Sequence, residues 1–428
     1  MGLELRVCFF HILYCFFLYI IFSLLFFMLP LLFLFYRPGF IALRERLVLF
    51  SGVESNGRVV WFHAVSAGEV AAAAAVFREM VQLQTGLHAV VTSNTSAGRR
   101  IARRDFPREV VVLRPPLDTP TAVRRFIHKT EAVQLVVMEI ELWPNLIAVS
   151  SWLGLNPLLC NGRMPVFDLR AYRRLRFYFQ YILSCFTLIG VQDRTESGRY
   201  SELGASQKTV KVLGNVKYDL VPAGDALLPF AVSGSVPVVV VGSSHVEEEA
   251  LYIRLFAAVL RGYPEAVCVI APRDIARRGA LLKKARASGI AALLRSQLDG
   301  RELCGQLLVL DTVGELRAVY SIASVAVIGG SFSSRIQGHD PLEAAVQAAP
   351  VVFGPWMGNF AGPAEDLLRG GGGVAVNEYE ELVNVVCGFL CDAASSTEVG
   401  DAALRVVRRG VGAAPGYAKL LSGLIQEK

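Results

Sequence analysis

The apolar pattern opens with one long run and then breaks into short ones. From Val7 to Tyr36 no residue carries a fixed charge, and Phe, Leu and Ile dominate. About 20 apolar residues suffice for a helix to cross the hydrocarbon core, so a spanning anchor is expected over residues 1–37. The run exceeds a signal-peptide h-region, and no A-x-A-like cleavage site follows Tyr36. Pro30 either kinks this helix or marks where it meets the interface.

Beyond the anchor, β-branched runs lack polar alternation, as in parallel strands covered on both faces. They lie at Val59–Val65, His88–Thr92, Val110–Leu113, Leu135–Met138, Pro157–Cys160 and Leu188–Gln192. Helices are expected between them, among them Val70–Leu83 and Tyr172–Leu183. Residues 219–237 hold three prolines and read as a linker. The pattern then restarts with Val238–Val241, Val267–Ile270, Leu307–Leu310, Val325–Ile328, Val351–Phe353 and Val374–Val376. Two βα series predict an α/β fold of two doubly wound, Rossmann-like domains, 38–218 and 238–428, facing a cleft. The tail from Ala402 reads as helical, and its last helix is free to pack back on the first domain.

Composition sharpens this picture. Hydrophobic residues make up 53% of the chain, mean hydropathy is +0.45, and the net charge is +6. Only Arg6 precedes the anchor, whereas Arg37, Arg44 and Arg46 follow it. The positive-inside rule therefore predicts a single-pass protein with its domains on the cytoplasmic side. Eight cysteines without a histidine of ligand spacing suit a reducing compartment and no metal site. Nucleic-acid motifs are missing, and no obligate protein partner is evident; an anionic lipid surface is the better match for the basic stretches.

Such sheets bind ligands at their strand-to-helix loops, so the candidate chemistry lies there. The first loop runs His63-Ala64-Val65-Ser66-Ala67-Gly68-Glu69. Glu69 there either complements the helix dipole or serves as a general base. Met138-Glu139-Ile140-Glu141-Leu142-Trp143-Pro144-Asn145 sets two carboxylates around another strand end. They share a face only if the strand continues through them. Lys217, in Gly214-Asn215-Val216-Lys217, closes the first domain.

In the second series, Gly242-Ser243-Ser244-His245 offers backbone N–H groups to a phosphate. Glu247, Glu248 and Glu249 read as first-turn charges, and Arg273, after Pro272, could meet a phosphate oxygen. Ile328-Gly329-Gly330-Ser331 and Gly338-His339-Asp340-Pro341-Leu342-Glu343 allow close backbone approach, with Glu343 suited to ribose hydroxyls. Neither a G-x-x-x-x-G-K-[ST] loop nor a G-x-G-x-x-G after the first strand is present, which argues against P-loop and dinucleotide enzymes.

Taken in order, the HAVSAGEV, MEIELWPN, GNVKYD, GSSH, APR, VGE and GGS…GHDPLEAA blocks resemble the 3-deoxy-D-manno-octulosonate (Kdo) transferases over nearly the whole chain. The resemblance implies a GT-B glycosyltransferase of lipopolysaccharide synthesis at the inner membrane. Its donor would be CMP-Kdo and its acceptor a lipid A precursor, lipid IVA, with one or more Kdo added. By motif, Glu69 would accept a proton, and Glu139 and Lys217 would stabilise the transition state. Pro272, Arg273, Val313, Gly314, Glu315, Asp340, Pro341, Leu342 and Glu343 would hold CMP. No metal or other cofactor is implied. Arg163, Arg170, Arg173, Arg174 and Arg176, interleaved with aromatics, read as an interfacial segment that meets a phosphorylated lipid, or as an ordinary basic helix. The Ser331–Gly338 stretch departs from the family: it lacks the glutamate before Arg335 and is one residue longer, and Asp340 replaces the usual Asn. Other GT-B enzymes, UDP-sugar epimerases included, lack the GEV and ELWPN pairing, and a non-catalytic nucleotide-binding scaffold would not need Glu69.

Overall fold

The computed structural model describes residues 3–53, 57–220, 228, 230–232, 236–298, 300 and 302–426, so most of the expected linker lies outside the described residues. The chain divides into two compact units. Unit 1 comprises Met1–Leu220 with Val411–Lys428, and unit 2 comprises Val221–Gly410.

The apolar N-terminal run is not one helix. It forms α1 (Leu3–Phe27), α2 (Leu29–Phe35) and the start of α3 (Arg37–Arg46). Pro30 falls in the first turn of α2, where a missing N–H is harmless, so it begins a helix. Pro38 plays the same part in α3. Residues Val7, Phe10, Phe22 and Leu25 of α1 pack against the core of unit 1.

Among the described residues unit 1 holds one parallel sheet of seven strands. These are β1 (Arg58–His63), β2 (Leu87–Thr92), β3 (Val111–Leu113), β4 (Ala132–Met138), β5 (Leu158–Gly162), β6 (Leu188–Val191) and β7 (Val210–Val212). Their order is β3-β2-β1-β4-β5-β6-β7, so the direction of winding reverses between β1 and β4. Ligands of doubly wound sheets bind beyond the strand ends at such a reversal.

Unit 2 repeats the plan with β8 (Val238–Ser244), β9 (Val267–Pro272), β10 (Ala292–Leu294), β11 (Gln306–Val309), β12 (Val325–Ile328), β13 (Val351–Phe353) and β14 (Gly373–Ala375). The order is β10-β11-β9-β8-β12-β13-β14, with its reversal between β8 and β12. Strands β7 and β10 were not foreseen: three-residue pieces such as Val210-Lys211-Val212 carry too little periodicity to register. The helix expected over Tyr172–Leu183 is two helices, Val166–Arg174 and Arg176–Ser184, meeting at Leu175.

The C-terminal helix Ala413–Gln426 belongs to unit 1 and lies on α4 (Ala67–Leu83). Alanines on both partners, Ala72–Ala75 on one and Ala413, Ala414 and Ala418 on the other, form a shared buried cluster that permits a close approach. The Asp219 carboxylate accepts from the N–H groups of Gly412 (2.6 Å) and Ala414 (2.7 Å), which satisfies donors a helix start leaves free.

Candidate functional site

In unit 1 the reversal point carries Glu69 after β1 and Glu139 after β4, one on each side. Ser66 caps α4, its Oγ accepting from the Glu69 N–H at 3.3 Å, while Glu69 Oε2 accepts from the Val65 N–H at 2.9 Å. This reciprocal capping explains why the sequence places Ser and Glu three apart. It also holds the Glu69 carboxylate at the strand end, nearly buried. Burial raises its pKa, and the neighbouring Glu139 charge adds to the rise.

Glu139 is the opposite case. It is buried and sits in the left-handed region at φ 55°. The strand therefore ends at Met138 and a turn follows, so Glu139 and Glu141 are neither strand-paired nor on one helix. Glu139 Oε2 accepts from Arg163 Nε at 2.6 Å, and its Oε1 lies 3.2 Å from Lys217 Nζ. Burial alone would raise its pKa, but the Lys217 and Arg163 cations hold it below the usual carboxylate value. Glu141 accepts from Trp143 Nε1 at 2.7 Å; burial and then the Glu69 charge push its carboxyl up to about 7. Three carboxylates thus share one strand-end region with their proton affinities pushed apart, a pattern that separates acid and base roles.

Sequence reasoning missed what braces this cluster. Asn161, at φ 58°, accepts from the Val216 N–H at 3.0 Å and reaches Glu139 with its amide at 3.5 Å. It thereby ties β4, β5 and the Lys217 turn together. Buried Tyr200 donates within 3.2 Å of the carbonyls of Glu139 and Arg163. The sequence signal for Asn161 is a polar residue in an apolar strand, whereas Tyr200, inside the helix Arg194–Glu202, gives none. Arg163 does not belong to the basic interfacial segment expected over 163–176: it precedes that helix and pairs with Glu139. Arg173 pairs with Glu202, and Arg176 donates to the Glu202 carbonyl at 2.8 Å. Arg170 and Arg174 are exposed.

Unit 2 assembles its loops around Glu248. Rather than acting as a first-turn charge, this buried carboxylate accepts from the N–H groups of Gly330 (2.7 Å), Phe332 (3.0 Å) and His245 (3.3 Å), and from the Tyr252 hydroxyl (3.0 Å). The backbone N–H of His245, expected to face a phosphate, is therefore engaged within the protein, and the helix begins only at Glu249. Glu247 receives Arg335 (2.9 Å) and Ser333 (2.6 Å), so the carboxylate absent beside Arg335 in sequence comes from another loop. A Cβ on Gly329 would lie 2.4 Å from the Ser243 carbonyl oxygen, so the glycine is needed for β8 and β12 to lie this close.

Around these loops stand the residues assigned to the donor. Arg273 follows β9 and donates its N–H to the Ser244 carbonyl at 2.9 Å. Asp340 caps Leu342 at 2.9 Å, and Pro341 precedes the short helix Leu342–Ala345. Glu343 keeps contact with solvent, yet the surrounding protein and then Asp340 push its carboxyl up to about 7, against Arg273 and Arg317; that contact tempers the rise. The His339 and His245 rings lie nearly parallel and end to end, with their Nε2 atoms 2.7 Å apart, a hydrogen-bond distance. Burial, then Arg273, lowers the His339 pKa to about 4. Val313 is exposed, Gly314 takes φ 91°, and Glu315 pairs with Arg295 at 3.2 Å.

A family profile described as 3-deoxy-D-manno-octulosonic-acid (Kdo) transferase matches residues 42–220. A probable mitochondrial Kdo transferase of Arabidopsis thaliana is 32% identical over 323 residues, covering 73% of this chain and 72% of its own. The chain belongs to the Kdo transferase family. The Kdo transferase of Haemophilus influenzae, 27% identical, covers 86% of this chain and 87% of its own. The family makes this chain a glycosyltransferase. Among solved structures, a UDP-GlcNAc 2-epimerase of Neisseria meningitidis bound to UDP-GlcNAc aligns over 87% of this chain and all of its own, with TM-score 0.57 at 11% identity. A glycosyltransferase of Rickettsia africae aligns over 86% and 97%, with TM-score 0.54 at 12% identity. At such identities these two speak for the fold, which is of the GT-B kind.

Proposed function

We propose that this member of the family transfers Kdo from CMP-Kdo to lipid IVA, a lipid A precursor, with inversion, at the cytoplasmic face of the inner membrane in lipopolysaccharide synthesis. The observation that carries the reading is the contrast between the carboxylates at the β1/β4 reversal. Glu139 is held ionised by two cations, so it has little appetite for a proton. Glu69 has a raised proton affinity and, among the described residues, forms no ion pair with a cation, as suits a base.

In this reading Glu69 takes the proton of the acceptor hydroxyl as that oxygen attacks the anomeric carbon of Kdo. The bond from that carbon to the CMP phosphate breaks with its electron pair leaving on phosphate. Lys217, shared with Glu139, stabilises the charge that develops. The donor nucleotide rests on Pro272 and Arg273, on Val313, Gly314 and Glu315, and on Asp340, Pro341, Leu342 and Glu343. Arg273 offsets the leaving phosphate without a metal, so transfer should persist in excess chelator. Incubating the full chain with CMP-Kdo and lipid IVA and weighing the lipid product tests the proposal, and counts the sugars added. A lipid of unchanged mass, with CMP-Kdo intact, would refute it.

A further inference from the structure

The N-terminal helix is apolar enough to span a membrane, but its contacts describe a different arrangement. Residues 7, 10, 11, 14, 15, 18, 22 and 25 form a stripe of three- and four-residue steps along α1, and each is buried or half-buried. On that stripe Tyr14 donates to Asp118 at 2.6 Å, His11 meets the Tyr178 hydroxyl at 2.8 Å, and Cys15 reaches Asn145 at 3.4 Å. Just beside it Tyr19 reaches Thr121 at 3.3 Å. Asp118 is itself built in, accepting from the N–H groups of Leu146 (2.6 Å) and Asn145 (3.2 Å). The opposite face, with Phe9, Ile12, Phe16, Ile20, Leu24 and Phe27, is exposed and apolar.

From Val7 to Leu25 the helix rises about 27 Å, close to the ~30 Å of a bilayer's hydrocarbon core. If α1 crossed the membrane with these contacts intact, the surface of unit 1 along it would enter the hydrocarbon too. That surface includes the helix Pro120–Thr130 with its exposed Arg124 and Arg125. Each arginine at the bilayer centre costs ~2.5–3.5 kcal/mol on the mildest scale. Spanning and docking therefore exclude one another.

We infer that α1 stays docked on unit 1 and lies in one leaflet of an anionic bilayer, so that the protein is embedded from one side and does not cross. The apolar face enters the acyl region. Exposed Trp152, whose ring lies edge-on to His11 at 5.9 Å, suits the headgroup boundary. Arg37 and Arg44, over the rings of Phe33 and Phe40 at 5.8 and 5.5 Å, are placed to meet lipid phosphate. The inference rests on the membrane attachment proposed above but not on the sugar transferred.

Two readouts on the full chain decide it. Green fluorescent protein fused ahead of Met1 folds only in the cytoplasm. The membrane fraction should therefore fluoresce, and the tag should resist protease in spheroplasts and yield in inverted vesicles. A dark tag cut in spheroplasts means that α1 spans, which overturns the inference while leaving the transferase reading intact. Recovery in the soluble fraction would overturn the membrane reading itself. Benzoylphenylalanine in place of Tyr19 should photo-crosslink within the chain to the peptide containing Thr121. Crosslinks to lipid alone would mean that α1 leaves its seat, and would overturn docking even with a cytoplasmic N-terminus.

Discussion

The two reversal points, β1/β4 in unit 1 and β8/β12 in unit 2, share a topology and differ in what they do with carboxylates. In unit 1, Glu69, Glu139 and Glu141 crowd the strand ends; cations claim Glu139 only, and the other two are driven toward protonation. In unit 2 the central carboxylate, Glu248, is spent on backbone N–H groups and fixes loops rather than protons. The lesson is that a doubly wound sheet supplies a place, while the partners of each acid decide between chemistry and scaffolding.

The sharpest way to break this contrast is Glu69→Gln. Glutamine can still cap α4, so the melting temperature should hold, while turnover falls by at least ~10²-fold for want of a proton acceptor. Because the Glu69 pKa is raised, the wild-type rate should decline on the acid side at a pH above the ordinary carboxylate range. Wild-type turnover in the variant would reduce Glu69 to a cap. Next comes Lys217→Met, which leaves buried Glu139 with Arg163 alone. Chemical denaturation should register about 3 kcal/mol, the low end for breaking a buried pair, and activity should fall as well. An unaltered denaturation midpoint would make the ion pair dispensable.

On the unit 2 side, Glu343→Ala should weaken CMP binding by ~1.5–3 kcal/mol in calorimetry, through loss of a charged acceptor for ribose hydroxyls. Undiminished affinity would remove Glu343 from the donor site. The smallest effect is expected from Glu141→Gln. With a folded pKa of about 7 against 4.5 unfolded, Glu141 gives its full stabilisation below pH 4.5 and loses it as pH rises through 7. The variant should therefore melt above wild type at pH 8 and gain nothing at pH 4.5. Equal curves at both would show that Glu141 is not strained.

Some of this architecture was legible without coordinates. Uninterrupted β-branched runs predicted twelve of the strands approximately, because burial on both faces leaves no room for polar alternation. Glu69, read as complementing a helix dipole, marked the start of α4, because charge and dipole interact within a single turn. What stayed hidden depends on residues distant in sequence. Arg163 and Lys217, 24 and 78 positions beyond Glu139, lower its proton affinity. Asn161 ties β4 and β5 to a turn at Val216, and Glu248 reaches 82 residues ahead to Gly330.

The N-terminal run makes the same division plain. Its apolar composition, and a length sufficient to cross a membrane, are properties of the sequence alone. Which stripe of it faces protein, however, is settled by Asp118, Asn145 and Tyr178 folding to one side of unit 1. Local periodicity is encoded within a few residues, so it can be read along the chain. Charge pairing and docking depend on distances that only the folded sheet sets.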